Sequence, residues 1–200
     1  MGKSTVKAGI ITFLGTNCET DTKRACESFG WQSEYIWHAD RITRNYDIIF
    51  LPGGFAYGDH ISAGRIAKLS PAVKSLPIGK SLIVGICNGF QILTEAKLLS
   101  GALTFNENLK FISKVVPLEF QGEIINIPVA HHQGNYTGLG NEEVFLRYAG
   151  DVNGSDDRIA GIFDRSNKII GMMPHPERAV FKELGLTDGR KVFEYFNEIL

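Results

Sequence analysis

The sequence is poor in several features that mark particular classes of protein. It has three cysteines, Cys18, Cys26 and Cys87, an odd number without any Cys-x-x-Cys pair. These cysteines predict neither a disulfide framework nor a cysteine zinc site, so a reducing cytoplasm is the expected compartment. The 21 basic and 22 acidic residues nearly balance, and no basic block is present. Nucleic acid and anionic membrane surfaces are therefore not expected as partners.

Transmembrane stretches, targeting segments and nucleotide-binding loops are also missing. No apolar stretch approaches transmembrane length, and the short run 9–14 gives way to polar residues where a signal peptide would continue. The chain has neither a Gly-x-x-x-x-Gly-Lys-Ser/Thr loop nor a dinucleotide fingerprint, so nothing in it predicts ATP binding. The pair His131-His132 lacks a third ligand at metal spacing, which favours a loop pair over a metal site.

What the sequence does contain is an alternation of apolar strands and helical patterns. Its length of 200 residues, with 44% hydrophobic and 22% charged residues, suits one globular domain spanning residues 1–200. Strands that alternate with helices indicate a parallel sheet with right-handed crossovers. The apolar spacing predicts strands and helices in the first half of the chain. The strands are 7–13, 32–37, 46–51 and 82–86, and the helices are about 17–29, about 63–69 and 90–101.

The pattern changes after Gly101, where strands follow one another without helices between them. The predicted strands are 110–120, 123–129 and 142–148, followed by a hairpin of 158–163 and 168–173 and a final helix at 190–200. We therefore predict an α/β fold with an open, mostly parallel, flavodoxin-like sheet, helices on both faces and an antiparallel extension. In such a sheet ligands bind beyond the carboxyl ends of the parallel strands. Gly53-Gly54, Cys87 and the segment after Met173 follow such ends and are expected to form one site.

Cys87 stands at the junction between the strand 82–86 and the helix that follows. Gly85 and Gly89 flank it two residues away on either side, and glycines permit a sharp turn with close backbone approach. The N-terminus of the helix favours negative charge on the sulfur. A buried structural cysteine is the alternative, but Gly-x-Cys-x-Gly at a strand–helix junction favours a nucleophile.

His175 and Glu177 follow the last predicted strand and are bracketed by Pro174 and Pro176. Imidazole is suited to take the thiol proton and later to protonate a leaving amine. Glu177, two residues on, lies on the same side of an extended chain and would fix the histidine tautomer. A lone histidine would more often be a satisfied surface or core residue, but this context favours a Cys-His-Glu triad.

An oxyanion hole would complete such a site. Attack on an amide carbonyl places negative charge on its oxygen, which aimed backbone N–H groups stabilise. The N–H of Asn88, directly after the nucleophile, is one candidate donor, and Gly54 is the other. An ordinary glycine turn at Gly53-Gly54 is the alternative.

With Gly85-Ile-Cys-Asn-Gly-Phe-Gln91 and Pro174-His-Pro-Glu-Arg178, the chain resembles the class I glutamine amidotransferases, and within them the glutaminase subunits of purine biosynthesis. Pro-Gly-Gly-Phe-x-Tyr-Gly-Asp, at 52–59, is more specific than any triad element. Further motifs that carry the resemblance cover nearly the whole chain: Gly15-Thr-Asn-Cys-Glu19, Ala130-His131, Asn153-Gly-Ser155, Ile159-Ala-Gly-Ile162 and Leu186-Thr-Asp-Gly189.

The resemblance implies a role for each matching residue. Cys87 would be the nucleophile, His175 the acid/base and Glu177 its orienting partner, with Gly54 and Asn88 as oxyanion donors. Gln91 would help to hold the substrate L-glutamine, and the backbone at Ala130-His131 would receive its amino-acid end. Relatives often have an acidic residue where Gln133 stands, so a charge-based role is not carried over to that position.

The resemblance also implies the reaction and the partners. The thiolate would attack the glutamine side-chain amide, ammonia would leave, and water would release glutamate from a γ-glutamyl thioester. Ammonia would pass to a separate ATP-dependent synthetase, to which ATP and Mg²⁺ belong; this chain itself needs no cofactor. A small third subunit is left open. The rivals are a cysteine peptidase or hydrolase on a similar sheet, and a non-catalytic subunit that has kept the fold.

Overall fold

In the computed structural model, which describes residues 5–59 and 63–200, nine strands form one sheet and two short strands form a separate pair. The sheet has the order β2-β1-β3-β4-β11-β10-β9-β6-β7. The strands are β1 Lys7–Thr12, β2 Gln32–Trp37, β3 Ile48–Leu51, β4 Leu82–Ile86, β5 Ala102–Thr104, β6 Ile112–Phe120, β7 Glu123–His131, β8 Asn135–Thr137, β9 Glu143–Tyr148, β10 Ile159–Asp164 and β11 Ile169–Met172.

The sheet divides into a parallel half and an antiparallel half. β2, β1, β3, β4 and β11 pair in parallel, whereas β10, β9, β6 and β7 continue the sheet in antiparallel pairs. The central strands are buried on both faces, and all residues of β4 are buried. Such strands need continuous apolar runs, and that feature makes them recognisable in the sequence. The predicted mostly parallel sheet with an antiparallel extension is confirmed.

Helices cover both faces of this sheet. They are α1 Glu19–Ser28, α2 Pro71–Lys74, α3 Asn88–Glu95 and α4 Gly189–Ile199. Phe50 and Leu51 point to opposite faces because they are neighbours in a strand. Phe50 stacks on Phe193 of α4 at a ring distance of 5.9 Å, while Leu51 lies against Gly89 of α3. None of the helices in the described ranges has the length and apolarity needed to cross a bilayer.

Three local predictions differ from the structure. The helix predicted at 63–69 is a turn followed by a 3₁₀ segment, and the α-helix begins instead at Pro71, with Ser70 as its N-cap. Proline suits the first turn of a helix because its missing N–H would have no partner there. The helix after Cys87 ends at Glu95 rather than at Gly101. β5 and β8 were not predicted, because three-residue strands are too short to show a period.

The boundaries of the remaining elements agree with the predictions to within a few residues. That residues 1–200 form one domain stays a prediction. Residues 1–4 and 60–62, which it includes, lie outside the described part of the chain.

Candidate active site

Cys87 occupies a strained turn between β4 and α3. Its backbone has φ 51° and ψ −105°, a region that residues other than glycine rarely adopt. Its N–H donates a hydrogen bond of 2.7 Å to the carbonyl of Met172 in the neighbouring parallel strand. A Cβ on Gly89 would lie 1.9 Å from the carbonyl oxygen of Leu51, so a side chain there would push α3 away from β3. Glycine at position 89 is therefore required for the helix to begin directly after Cys87.

His175 and Glu177 lie just beyond the carboxyl end of β11, the parallel neighbour of the strand that leads into Cys87. Both are buried, at 2% and 1% exposure. Nδ1 of His175 lies 2.6 Å from Oε1 of Glu177. The backbone N–H of His175 donates to the carbonyl of Pro128 at 2.9 Å. Because Nδ1 faces a carboxylate, it carries the proton, and Nε2 is the nitrogen available for the reaction. The sequence spacing His-x-Glu thus produces the buried pair that it predicted.

The electrostatic surroundings favour a protonated His175. Burial lowers its pKa, but the Glu177 carboxylate and the thiols of Cys87 and Cys18 outweigh burial and hold the pKa well above its usual range. The Cys87 sulfur contributes to this shift, and within the described residues Nε2 of His175 has no hydrogen-bond partner. A raised imidazole pKa favours transfer of the thiol proton to the ring, which leaves a thiolate beside an imidazolium.

The Pro52-Gly-Gly54 loop lies next to this pair and is fixed by two neighbours. Gly54 has φ 148° and forms a bridge with Thr16, and a Cβ on it would lie 2.8 Å from the backbone N of Asn17. The side chain of Asn88 accepts the N–H of Ala56 at 3.0 Å through Oδ1, which ties the loop to the start of α3. The loop that carries Gly54 thus lies against the start of α3, and the oxyanion hole formed by the N–H groups of Gly54 and Asn88 stays a prediction.

The end of β7 passes directly beside Cys87. The sulfur of Cys87 lies 3.6 Å from the carbonyl oxygen of Ala130. Gln91 joins this strand end to α3: its Nε2 donates to the carbonyl of Gln133 at 2.6 Å, and its Oε1 accepts from Asn88 at 2.9 Å. Direct contact between Gln91 and a substrate stays a prediction. The observed bonds show that Gln91 holds the backbone after His131 in place.

His131 is a buried and uncharged neighbour of the site. Burial, followed by the charge of His175, lowers the pKa of His131 to about 4. Its Nδ1 lies 3.0 Å from Oδ1 of Asn106, and its backbone carbonyl accepts from Nδ2 of the same asparagine at 2.9 Å. Asn106 also accepts the N–H of Gly134 at 3.2 Å, so one buried amide fixes both ends of the segment after β7.

Sequence reasoning missed three residues at this site. Asn106 gave no motif that could have identified it. Tyr148 is a fully buried tyrosine whose pKa is raised, first by burial and then by the neighbouring Cys87. Cys18 lies beside His175 and Glu177, and its place in the motif Gly15-Thr-Asn-Cys-Glu19 was a signal that could have found it.

Within residues 5–59 and 63–200, one cluster has the composition of a metal site. It consists of Cys18, His175 and Glu177, whose ligand atoms lie within 4.8 Å of one another. His175 and Glu177 are already hydrogen-bonded to each other, and Nη2 of Arg178 donates to the Cys18 sulfur at 2.9 Å. A cation beside the thiol of the cluster disfavours a second cation there. We therefore assign this cluster to the predicted triad and its support, and not to a metal.

A strained cysteine elbow, a buried His-Glu pair and a glycine loop at the parallel half of the sheet are the features that the resemblance to class I glutamine amidotransferases predicts. Residues 5–185 match the family of the CobB/CobQ-like glutamine amidotransferase domain, and the chain belongs to that family.

Two curated relatives indicate the particular kind of amidotransferase that the chain is similar to. The chain is 42% identical to phosphoribosylformylglycinamidine synthase subunit PurQ of Sulfurimonas denitrificans, over 96% of this chain and 99% of that protein. It is also 42% identical to subunit PurQ of Thermotoga maritima, over 94% and 95% of the two chains.

Solved structures agree with these relatives. A chain in the structure of PurLQS from Thermotoga maritima superposes with a TM-score of 0.91 at 40% identity, covering 98% of this chain and 99% of that chain. A putative GMP synthase subunit from Thermoplasma acidophilum has a TM-score of 0.69 at 15% identity, over 99% and 95% of the two chains, which shows a shared fold.

Proposed function

We propose that this chain is the glutaminase subunit of a phosphoribosylformylglycinamidine synthase in purine biosynthesis. It hydrolyses L-glutamine to glutamate and ammonia. The observation that carries the chemistry is the buried 2.6 Å bond between His175 and Glu177, next to Cys87 on a strained turn. The relatives named PurQ, at 42% identity over nearly the whole chain, support the particular synthase.

The residues divide the reaction between them. Cys87 passes its proton to Nε2 of His175, and the thiolate attacks the side-chain carbonyl carbon of glutamine. The imidazolium then protonates the amide nitrogen, the C–N bond breaks to release ammonia, and a γ-glutamyl thioester remains on the sulfur. The neutral imidazole takes a proton from water, hydroxide attacks the thioester, and glutamate leaves with the proton returned to the thiol. Glu177 keeps the proton on Nδ1 throughout and stabilises the positive ring.

The neighbouring backbone stabilises charge and orients the substrate. The N–H groups of Gly54 and Asn88 donate to the oxygen that becomes negative in each tetrahedral intermediate. The backbone at Ala130-His131 receives the amino-acid end of glutamine, which is consistent with the 3.6 Å approach of Ala130 to the sulfur. Gln91 holds this strand end at the required distance from the elbow.

The ammonia passes to a partner synthetase. The name PurLQS, given to the Thermotoga maritima structure, indicates an assembly in which a PurQ chain occurs with PurL and PurS. We propose equivalent partners here: a synthetase that carries ATP and Mg²⁺, and a small third subunit. We expect this chain to work in the cytoplasm and without a cofactor of its own.

The test is glutamine hydrolysis by the chain reconstituted with the synthetase subunits of the same organism. We expect the wild-type complex to release glutamate and ammonia, and Cys87→Ser nearly to abolish this release. The same substitution should change the free energy of unfolding by no more than about 1 kcal/mol, because the side chain changes little in volume. Cys26→Ser is the matched control, because Cys26 is a buried cysteine of α1 outside the site.

Two results would count against this proposal. Peptide cleavage without glutaminase activity would favour the cysteine-hydrolase rival. A reconstituted complex that neither hydrolyses glutamine nor reacts at Cys87 with a glutamine-analogue electrophile would favour the non-catalytic subunit.

A further inference from the structure

The segment Gly15-Thr-Asn-Cys18 contacts both halves of the site and has no part in the proposed chemistry. We call it the positioning segment. Its backbone holds the oxyanion loop: the N–H of Phe55 donates to the carbonyl of Gly15 at 2.9 Å, and the N–H of Cys18 donates to the carbonyl of Gly53 at 3.3 Å. The segment therefore fixes the loop through main-chain bonds that do not depend on the side chain of residue 18. The identity of that residue requires a separate explanation.

The Cys18 side chain lies against the imidazole of the base. Its sulfur is buried, at 1% exposure for the residue. A Cβ placed on Gly53 would lie 2.6 Å from Cε1 and 3.3 Å from Nδ1 of His175, and 3.1 Å from the Cys18 sulfur. The sulfur and the Nδ1–Cε1 edge of the ring thus pack on the same glycine, on the side of the ring that carries the bond to Glu177.

Arg178 holds this sulfur in place. Its Nη2 donates to the Cys18 sulfur at 2.9 Å, and its Nε lies 3.6 Å from a carboxylate oxygen of Asp21 in α1. The thiol in turn donates to Oδ1 of Asn17 at 3.1 Å. The sulfur is therefore fixed from two directions. Arg178 directly follows Glu177 in the chain, so the guanidinium also ties α1 to the segment that carries the base.

We propose that Cys18 and Arg178 are positioning residues for His175: the Arg178 guanidinium fixes the Cys18 sulfur against the Nδ1 edge of the imidazole, and so holds the ring in the plane of Glu177 with Nε2 turned toward Cys87. The inference rests on the proposed glutaminase function. A ring held by one carboxylate alone can tilt about that bond, and a misplacement of about 1 Å at a reacting group lowers rates by up to about 10²-fold.

The charges around His175 give this role a signature in the pH profile. The groups that interact with the imidazole are Glu177, Cys87, Cys18 and His131, and the cation of Arg178 in turn interacts with Glu177. When that cation is removed, the negative charge of Glu177 is less compensated and stabilises the His175 imidazolium more strongly, which raises the pKa of His175. The alkaline limb of the kcat profile, where the imidazolium is lost, then moves to higher pH.

The experiment compares Cys18→Ala, Cys18→Ser and Cys26→Ala in the complex reconstituted with its synthetase. For Cys18→Ala we expect kcat for glutamine hydrolysis to fall tenfold to about 10²-fold with KM changed by less than about threefold. Cys18→Ser should retain most of the rate, because its hydroxyl can still accept the Arg178 N–H. Cys26→Ala should retain wild-type kcat, since burial raises the pKa of this thiol to about 12 and it lies outside the site.

A second variant keeps the inference testable if Cys18→Ala does not fold. Arg178→Met keeps much of the length of the side chain but removes the donor and the charge, and we expect a lower kcat with the alkaline limb shifted upward. Arg165 is the control arginine, because it pairs with exposed Glu143 away from the site. Arg165→Met should change neither kcat nor the alkaline limb of the pH profile.

The outcomes separate this inference from the proposed function. The positioning role alone would be overturned if the wild type is active and if Cys18→Ala and Arg178→Met have the same kcat and pH profile as their control variants. Equal loss in Cys18→Ala and Cys18→Ser, in parallel with lost thermal stability, would also overturn it in favour of simple packing. A wild-type complex without glutaminase activity would overturn the proposed function itself.

Discussion

Glycine usually makes a fold less stable than alanine does at the same position. Because the backbone at Cys87 is strained, we expect the reverse order of stability there. At φ 51° and ψ −105° a side chain is strained by about 1–3 kcal/mol. Glycine relieves that strain but costs about 0.5–1 kcal/mol in chain entropy relative to alanine. Cys87→Gly should therefore be more stable than Cys87→Ala by about 1 kcal/mol. Because both variants lack the thiol, loss of the sulfur cancels within the pair.

Cys26, in the last turn of α1, provides the matched pair. There the backbone is helical, and Cys26→Gly should be less stable than Cys26→Ala by about 1 kcal/mol. Urea unfolding followed by circular dichroism measures both pairs, and a slope of about 2 kcal/mol/M turns each difference into about 0.5 M in midpoint. If glycine is the less stable variant at both positions, the argument from strain is refuted.

Three further changes test other parts of the site. Gly89→Ala should destabilise the fold by about 3 kcal/mol or more, because its Cβ would lie 1.9 Å from a carbonyl oxygen; Gly150→Ala, with open space around it, is the near-neutral control in urea unfolding. The pKa of His131 is lowered to about 4, first by burial, so the unfolded chain takes up this proton first and stability falls as pH drops from about 6.5 to 4. His131→Gln should flatten that decline in urea midpoints, and an unchanged slope would contradict the assignment. Glu177→Gln should retain some glutaminase activity, with the alkaline limb of kcat moved to lower pH because the charge that raises the pKa of His175 is gone; a limb that stays in place would contradict that role.

The central strands of the parallel half of the sheet are predictable because they are buried on both faces. β4 agrees with its prediction to the residue, since a continuous apolar run has sharp ends. β2 also agrees to the residue, but it is an edge strand with mostly exposed or half-buried residues, so burial on both faces does not explain that agreement. The region 63–74 differs from its prediction, because a 3₁₀ segment and a helix of one turn have no hydrophobic period to detect. Strand order within the sheet also lies beyond local pattern, since it depends on contacts between residues far apart in the chain.

The candidate site is predictable where chemistry restricts the residue type. Gly-x-Cys-x-Gly and His-x-Glu each require particular residues at fixed spacing, and the structure brings them together. The contribution of Asn106 depends on three contacts across the fold, so no local spacing could indicate it. Cys18 has a visible motif but no visible partner, because Arg178 lies 160 positions away in the sequence.

The place of β11 in the sheet has a consequence for synthesis of the chain. β11 lies between β4 and β10, although it is the last strand to be made. Until it emerges, the apolar edge of β4 has no partner on that side, and such edges promote association between chains. The same strand leads directly to His175, so a nascent chain carries the Cys87 thiol before it has the proposed base. A chain interrupted before this strand would therefore expose the edge of β4 to other chains and would also lack the proposed base.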